Sequence, residues 1–109
     1  MPDADLLLYV DARFLSPYAM SAFVALAEKS LPFGIETVDL AAGEQRAPAY
    51  ATLSLTGRVP TLVHAGFALS ESSAIAEYVD EAFRGPRLFP SEPRARARAR
   101  QLQAWLRSD

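Results

Sequence analysis

Five apolar residues run unbroken from Leu6 to Val10, far short of a membrane span and suited to a strand buried on both faces. The period then changes. Ser16 precedes Pro17, a capping hydroxyl followed by a proline at the first helical position, and Ala19, Ala22, Phe23, Leu26 and Ala27 follow at helical spacing. That helix is expected to stop near Ser30, ahead of Pro32 and Gly34. Ile35 to Leu40 alternates as a second strand, with Ile35, Thr37 and Asp39 opposite Glu36, Val38 and Leu40. Strand, helix and strand joined by short links predict a right-handed parallel unit.

The middle of the chain, Gly43 to Leu55, is mixed and interrupted by Pro48, which predicts a loop with a short irregular helix. Pro60 to Val63 and Phe67 to Leu69 are short apolar runs around Ala65-Gly66, so close that they must form an antiparallel hairpin. Ala74, Ile75, Tyr78, Val79 and Ala82 make an apolar helical stripe closed by Gly85-Pro86. A last helix is expected from Pro93 to the chain end, with Ala95, Ala99, Leu102 and Leu106 in line and Trp105 beside them. The order βαβ, irregular helix, ββα predicts an α/β fold: a thioredoxin-like four-stranded mixed sheet with helices on both faces.

Composition narrows the chemistry. At 109 residues, half of them hydrophobic and 22% charged, the chain can bury a core of its own and is not a disordered segment. It has no cysteine, which excludes a disulfide framework, a cysteine-held metal and an in-chain redox dithiol. The single histidine, His64, leaves no metal cluster to assemble and reads as a structural residue at the end of the third strand. No charged-then-apolar leader and no run near 18 apolar residues is present, so a cytoplasmic location without membrane contact is expected. The net charge of −2 conceals an acidic body and an arginine-rich end. Arg94 to Arg100 alternate with alanine and no aromatic is interleaved, the pattern of a solvated helix face rather than a nucleic-acid arm.

Three short segments carry the candidate chemistry: Ser16-Pro17 at one helix start, Val59-Pro60 at a strand entry, and Glu71-Ser72 at another helix start. A hydroxyl, a proline-bounded backbone edge and an acid–serine pair can converge on one small anionic ligand. A thiol reaction here would have to take its sulfur from that ligand. Each segment also has a plain structural reading. Ser16 and Ser72 are good N-caps, worth about 1 kcal/mol each, and Pro60 is a strand-entry breaker.

FLSPYAMSAFVAL, GRVPTLV, LSESSAIAEYV and RARARQLQAWLRSD together span most of residues 6–109. With them the chain resembles the N-terminal domain of cytosolic glutathione S-transferases of the serine type, and among these the bacterial YfcF-like members related to the theta and zeta classes. The resemblance implies a glutathione-binding domain over 1–84, a linker over 85–92, and over 93–109 the first helix of a truncated all-helical domain. It implies reduced glutathione as co-substrate, no metal, and Ser16 as the catalytic residue donating a hydrogen bond to the peptide's sulfur. Tyr9 and Tyr18 compete for that role because other classes use a tyrosine, but neither stands in the tyrosine-class motif. The resemblance further implies a cis bond before Pro60, which turns the Val59 backbone outward to pair with an extended peptide. It sets Arg58 near the glycyl carboxylate, Glu71 against the ammonium, and Ser72, as N-cap, against the γ-glutamyl carboxylate. Glu44, Gln45 and Arg46 lie in a loop that some relatives use for the glycine end, and none is assigned a role.

The expected activity is transfer of glutathione to a small electrophile, or reduction of a hydroperoxide, by a homodimer. The alternative is a non-catalytic glutathione-binding or protein-interaction module, because most of the second domain, which shapes the electrophile pocket in the family, is absent.

Overall fold

The computed structural model describes residues 6–107. Its elements are β1 (Leu6–Asp11), α1 (Pro17–Glu28), β2 (Gly34–Val38), a single 3₁₀ turn (Glu44–Arg46), α2 (Pro48–Ala51), β3 (Thr61–His64), β4 (Phe67–Ser70), α3 (Ser72–Ala82) and α4 (Pro93–Arg107). The four strands form one mixed sheet in the order β2-β1-β3-β4. β1 runs parallel to β2, with Leu8 opposite Ile35, and antiparallel to β3, with Leu8 opposite Leu62. β3 and β4 form the hairpin that the close turn requires, Leu62 facing Leu69. This is the thioredoxin-like arrangement.

Alternation along β1 sets the layers. Leu6, Leu8 and Val10 point to one face and are almost wholly buried with Leu62, Ala19, Ala22, Leu26, Ile75 and Val79. The small residues of α1 let that helix lie close against α3 and the sheet. Each fully buried Leu or Ile contributes roughly 1.5–3 kcal/mol through area removed from water. Tyr9 points to the opposite face and meets Tyr50 of α2, ring centroids 5.5 Å apart. Around β1 both faces are therefore packed, fully on the side of α1 and α3 and partly on the side of Leu7 and Tyr9.

Several boundaries move, each for a local reason. β2 ends at Val38 rather than Leu40 because Asp39 turns the chain: its N–H donates to Glu44 Oε1 at 2.7 Å and its Oδ1 accepts from Ala42 N at 3.2 Å. Only Val38 of β2 is buried, since the strand lies at the sheet edge. α1 stops two residues early, capped by Lys29. β3 starts at Thr61, after the proline that has no N–H to give to the ladder. α4 starts at Pro93 as expected, its first turn capped by the Glu92 carboxylate, which accepts from Ala95 N at 2.8 Å and Arg94 N at 3.2 Å. Leu102 and Trp105 are largely exposed on α4; Leu106, expected in the same stripe, lies outside the residues whose side chains are described.

A buried ion pair, which the pattern of apolar positions does not announce, ties the chain segments together. Lys29 Nζ lies 3.2 Å from Asp80 Oδ1 and donates to the carbonyls of Asp80 and Phe83 at 3.2 and 3.0 Å. Asp80 also accepts from Leu88 N at 2.8 Å and Phe89 N at 3.2 Å, with Arg87 and Arg96 at 3.5 and 3.7 Å. Burial pushes the Asp80 carboxyl up. The Leu88 amide, Lys29, the Phe89 amide and Arg87 outweigh it and hold the group below its ordinary range. One carboxylate thus joins the end of α1, the end of α3, the segment after it, and α4.

Candidate functional site

The loop between β1 and α1 is built around Asp11, which is buried. Its carboxylate accepts from Leu15 N at 2.7 Å and from Ser16 N at 3.2 Å. Phe14, at φ 56, makes the tight bend between them. Ser16 then takes an extended conformation, and its Oγ accepts from Ala19 N at 3.1 Å, capping α1. That bond uses an oxygen lone pair and leaves the hydroxyl proton available to donate. The capping and the chemical readings of Ser16 are compatible. Asp11 was not singled out in the sequence, although an acid at a strand end just before a helix cap is a recurrent loop-closing pattern.

Across the sheet, the Val59–Pro60 bond is cis, as the resemblance implies. Val59 and Pro60 are buried while Arg58 is exposed. Arg58, Val59, Pro60, Glu71 and Ser72 line one cleft of about 180 Å³, together with Tyr18 and Thr56. Five of the six expected site residues are thereby brought together. Ser16 does not line that cleft. It faces two neighbouring hollows, one of about 340 Å³ with Arg13, Asp39 and Leu40, and an apolar one of about 180 Å³ with Phe14, Met20 and Phe23. Tyr18, two residues on from Ser16, supplies the wall that the cleft and the α1 start have in common.

One assignment needs correction. Ser72 is not the N-cap of α3 but its first helical residue, and the cap position belongs to Glu71. The physical reason is the Glu71 backbone, at φ 79 and ψ 120, which is non-helical while its carbonyl already accepts from Ile75 N at 2.9 Å. Ser72 therefore brings a first-turn N–H as well as its hydroxyl to the helix start. A glutamate at positive φ costs roughly 1–3 kcal/mol, and such strain concentrates where the backbone is held for a ligand. Ser73 falls at the second helical position.

The loop carrying Arg58 is held from below. Tyr50 Oη donates to Arg58 O at 2.5 Å and Ser54 Oγ reaches the same carbonyl at 3.2 Å. Ser54 Oγ accepts from Gly57 N at 3.0 Å, and Arg58 N donates to Thr56 Oγ1 at 3.1 Å. Burial raises the Tyr50 phenol above its ordinary pKa, against the opposing effect of the Thr61 and Ser54 hydroxyls. His64, by contrast, packs against Tyr78 and Phe83, with Nδ1 2.6 Å from Tyr78 Oη, the structural role expected of it. Among the described residues no group of three or more His, Cys, Asp or Glu side chains could hold a metal ion, and no helix is long and apolar enough to cross a membrane.

Residues 15–82 match the family model described as glutathione S-transferase, N-terminal domain. The chain is 41% identical over 105 residues to maleylacetoacetate isomerase of Pseudomonas aeruginosa, covering 94% of this chain and 49% of that protein. It is 34% identical over 99 residues to glutathione S-transferase theta-1 of Mus musculus, covering 90% and 40%. A solved structure of a glutathione transferase homologue from Burkholderia, with bound glutathione, superposes with a TM-score of 0.86 at 53% identity, over 95% of this chain and 55% of that one. The chain thus spans about half the length, or less, of these relatives.

Proposed function

This chain belongs to the glutathione S-transferase family through its N-terminal domain, and on that premise we propose that it binds reduced glutathione across the Arg58–Ser72 cleft and activates the peptide's thiol with Ser16. The observation that carries this reading is the gathering of Arg58, Val59, Pro60, Glu71 and Ser72 around one cleft beside the start of α1. The bound glutathione of the Burkholderia homologue supports the choice of ligand. The peptide lies as an extended strand against the Val59 backbone. Its γ-glutamyl carboxylate sits at the start of α3, where Ser72 offers a hydroxyl and an amide. Glu71 faces the ammonium and Arg58 the glycyl carboxylate.

The chemistry is thiol deprotonation followed by transfer. A free thiol titrates near 8.5, so only a few per cent is thiolate at neutral pH. Lowering that value by about two units requires roughly 2.7 kcal/mol. A hydrogen bond from Ser16 to the charged sulfur supplies about 1.5–3 kcal/mol, and the α1 N-terminus adds about 0.3–1. Together, at about 1.8–4 kcal/mol, they bracket what is required. The thiolate then forms the sulfur–carbon bond to an electrophile as the leaving group departs, or attacks the terminal oxygen of a hydroperoxide, breaking the O–O bond and releasing the alcohol. In the latter case a second glutathione then converts the sulfenic acid to the disulfide with loss of water. We further propose that the working unit is a cytoplasmic homodimer and that α4 is the first helix of a second, all-helical domain.

The test is calorimetry of this chain with reduced glutathione and with S-methylglutathione, followed by thiolate absorbance of the bound peptide. Ser16→Ala should lower the ionisation constant of the bound thiol by roughly 10- to 150-fold, a rise of about one to two pKa units, from the loss of about 1.5–3 kcal/mol. Identical titration of bound glutathione by parent and variant removes Ser16 from the mechanism. Turnover of chlorodinitrobenzene and of cumene hydroperoxide separates conjugation from peroxide reduction.

A further inference from the structure

Beneath the cleft floor, four hydroxyls connect its two ends. Ser70 Oγ lies 3.3 Å from Thr61 Oγ1, Thr61 Oγ1 lies 2.8 Å from Tyr50 Oη, and Tyr50 Oη reaches Arg58 O at 2.5 Å. Ser54 Oγ lies beside this chain, 3.2 Å from the same carbonyl and 3.3 Å from Ser70 Oγ. Thr61 is 0% and Tyr50 and Ser54 are each 5% exposed. Water therefore offers little competition for these bonds.

Proton accounting gives the network a direction. Each hydroxyl has one proton to donate. A carbonyl only accepts, so the Tyr50 proton lies toward Arg58 O. Thr61 must then donate to Tyr50, so its oxygen accepts and the Ser70–Thr61 bond has Ser70 as its donor. Ser54 already accepts the Gly57 amide, and its own proton is left for Arg58 O. The raised Tyr50 pKa keeps that phenol a donor well into the alkaline range.

The placement of the two ends is the informative part. Ser70 directly precedes Glu71-Ser72, and Arg58 directly precedes Val59-Pro60. We propose that the one-way relay Ser70→Thr61→Tyr50→Arg58 O is a positioning device that locks the two halves of the peptide cleft into a single geometry, with Tyr50 and Thr61 as positioning residues. This rests on the reading that the cleft takes glutathione. The ligand bridges a backbone edge and a helix start that lie on different elements, and the relay fixes their separation before the ligand arrives.

The experiment compares Thr61→Val, Tyr50→Phe, their double variant and Thr61→Ser by calorimetry with reduced glutathione. Circular dichroism and thermal melting accompany each, and thiolate absorbance is read at saturation. Thr61→Val and Tyr50→Phe should each weaken binding by about 3- to 10-fold, the worth of one net hydrogen bond. The double variant should bind within about twofold of the worse single one, because both substitutions break one chain. Thr61→Ser keeps the hydroxyl and should restore the parent affinity, and the thiolate titration should not move, because Ser16 is outside the relay. If Thr61→Val fails to fold, Ser70→Ala removes the first donor at a half-buried position and carries the same expectation. Parent-like affinity in the single variants, or additive losses in the double, overturns the relay alone. Absence of glutathione binding by the parent chain overturns the cleft assignment and the relay together.

Discussion

Replacing Lys29 with methionine would test the deepest electrostatic feature of the fold. The substitution keeps an unbranched side chain of similar length but removes three interactions at once: the ion pair with Asp80 at 3.2 Å and donation to the carbonyls of Asp80 and Phe83. Asp80, with 2% of its surface exposed, would keep its carboxylate without its nearest cation. Breaking a buried pair from one side costs about 3–5 kcal/mol. Arg87 and Arg96 remain, but at 3.5 and 3.7 Å, and the Arg87 side chain is half exposed. The lower end, about 3 kcal/mol, is therefore expected. For a domain of this size that is a fall in Tm of roughly 12–24 °C, read by circular dichroism.

The pH dependence supplies an independent check with a definite sign. Asp80 is held below its unfolded value of 3.8. Its contribution is therefore fully present above that value and disappears as pH falls through the folded value. The parent should lose stability on acidification below about pH 4, and Lys29→Met should show a smaller loss because less of that contribution remains. Exchanging both members, Lys29→Met with Asp80→Leu, should recover part of the stability, since an apolar pair leaves no charge stranded. A Tm change under a few degrees in Lys29→Met, or an acid limb identical to the parent's, refutes the reasoning.

Three further outcomes follow from single positions. Asp11→Ala removes the acceptor of the Leu15 and Ser16 amides, and should cost about 1–3 kcal/mol in urea melts while raising the apparent pKa of bound glutathione. An unchanged thiolate titration would separate Asp11 from the Ser16 loop's function. Glu71→Gly relieves a glutamate at φ 79 and should stabilise the free chain by about 1 kcal/mol yet weaken glutathione, measured by melting and calorimetry on the same sample. Gly85→Ala should destabilise by at least about 1 kcal/mol, because the residue sits at φ +117 and the new Cβ would lie 3.2 Å from Lys29 O; a neutral melt would show that this segment yields.

Local chemistry made the elements legible. Ser16-Pro17 opens α1 because the cap and proline rules act over four residues, and the apolar run of β1 announces a central strand because burial on both faces leaves no other composition. The Ala65-Gly66 turn forces a hairpin for the same short-range reason. The cap of α3 lies at Glu71, one residue before the expected Ser72, because a glutamate at positive φ is not a local preference. It is imposed by β4 arriving from one side and the helix leaving on the other. β2 ends short of the expected Leu40 because the turn at Asp39 depends on Glu44 folding back to its amide, a contact five residues away.

What the chain alone determined was the inventory: a thioredoxin-like order of elements, the absence of any sulfur nucleophile of its own, and six residues suited to a peptide ligand. The order of elements and the missing thiol follow from periodicity, capping and composition, which act within a few residues. The assignment of the six residues to a peptide ligand follows from the family resemblance of the segments that carry them. Only the tertiary structure decided the company each residue keeps. It gathered Arg58, Val59, Pro60, Glu71 and Ser72 with Tyr18 around one cleft, set Ser16 on two other hollows, and buried Lys29 against Asp80 across 51 positions of sequence. The reason is that burial and hydrogen-bond partners over such separations belong to the packed whole. A lysine or a tyrosine reads as a surface residue until the fold removes the water around it.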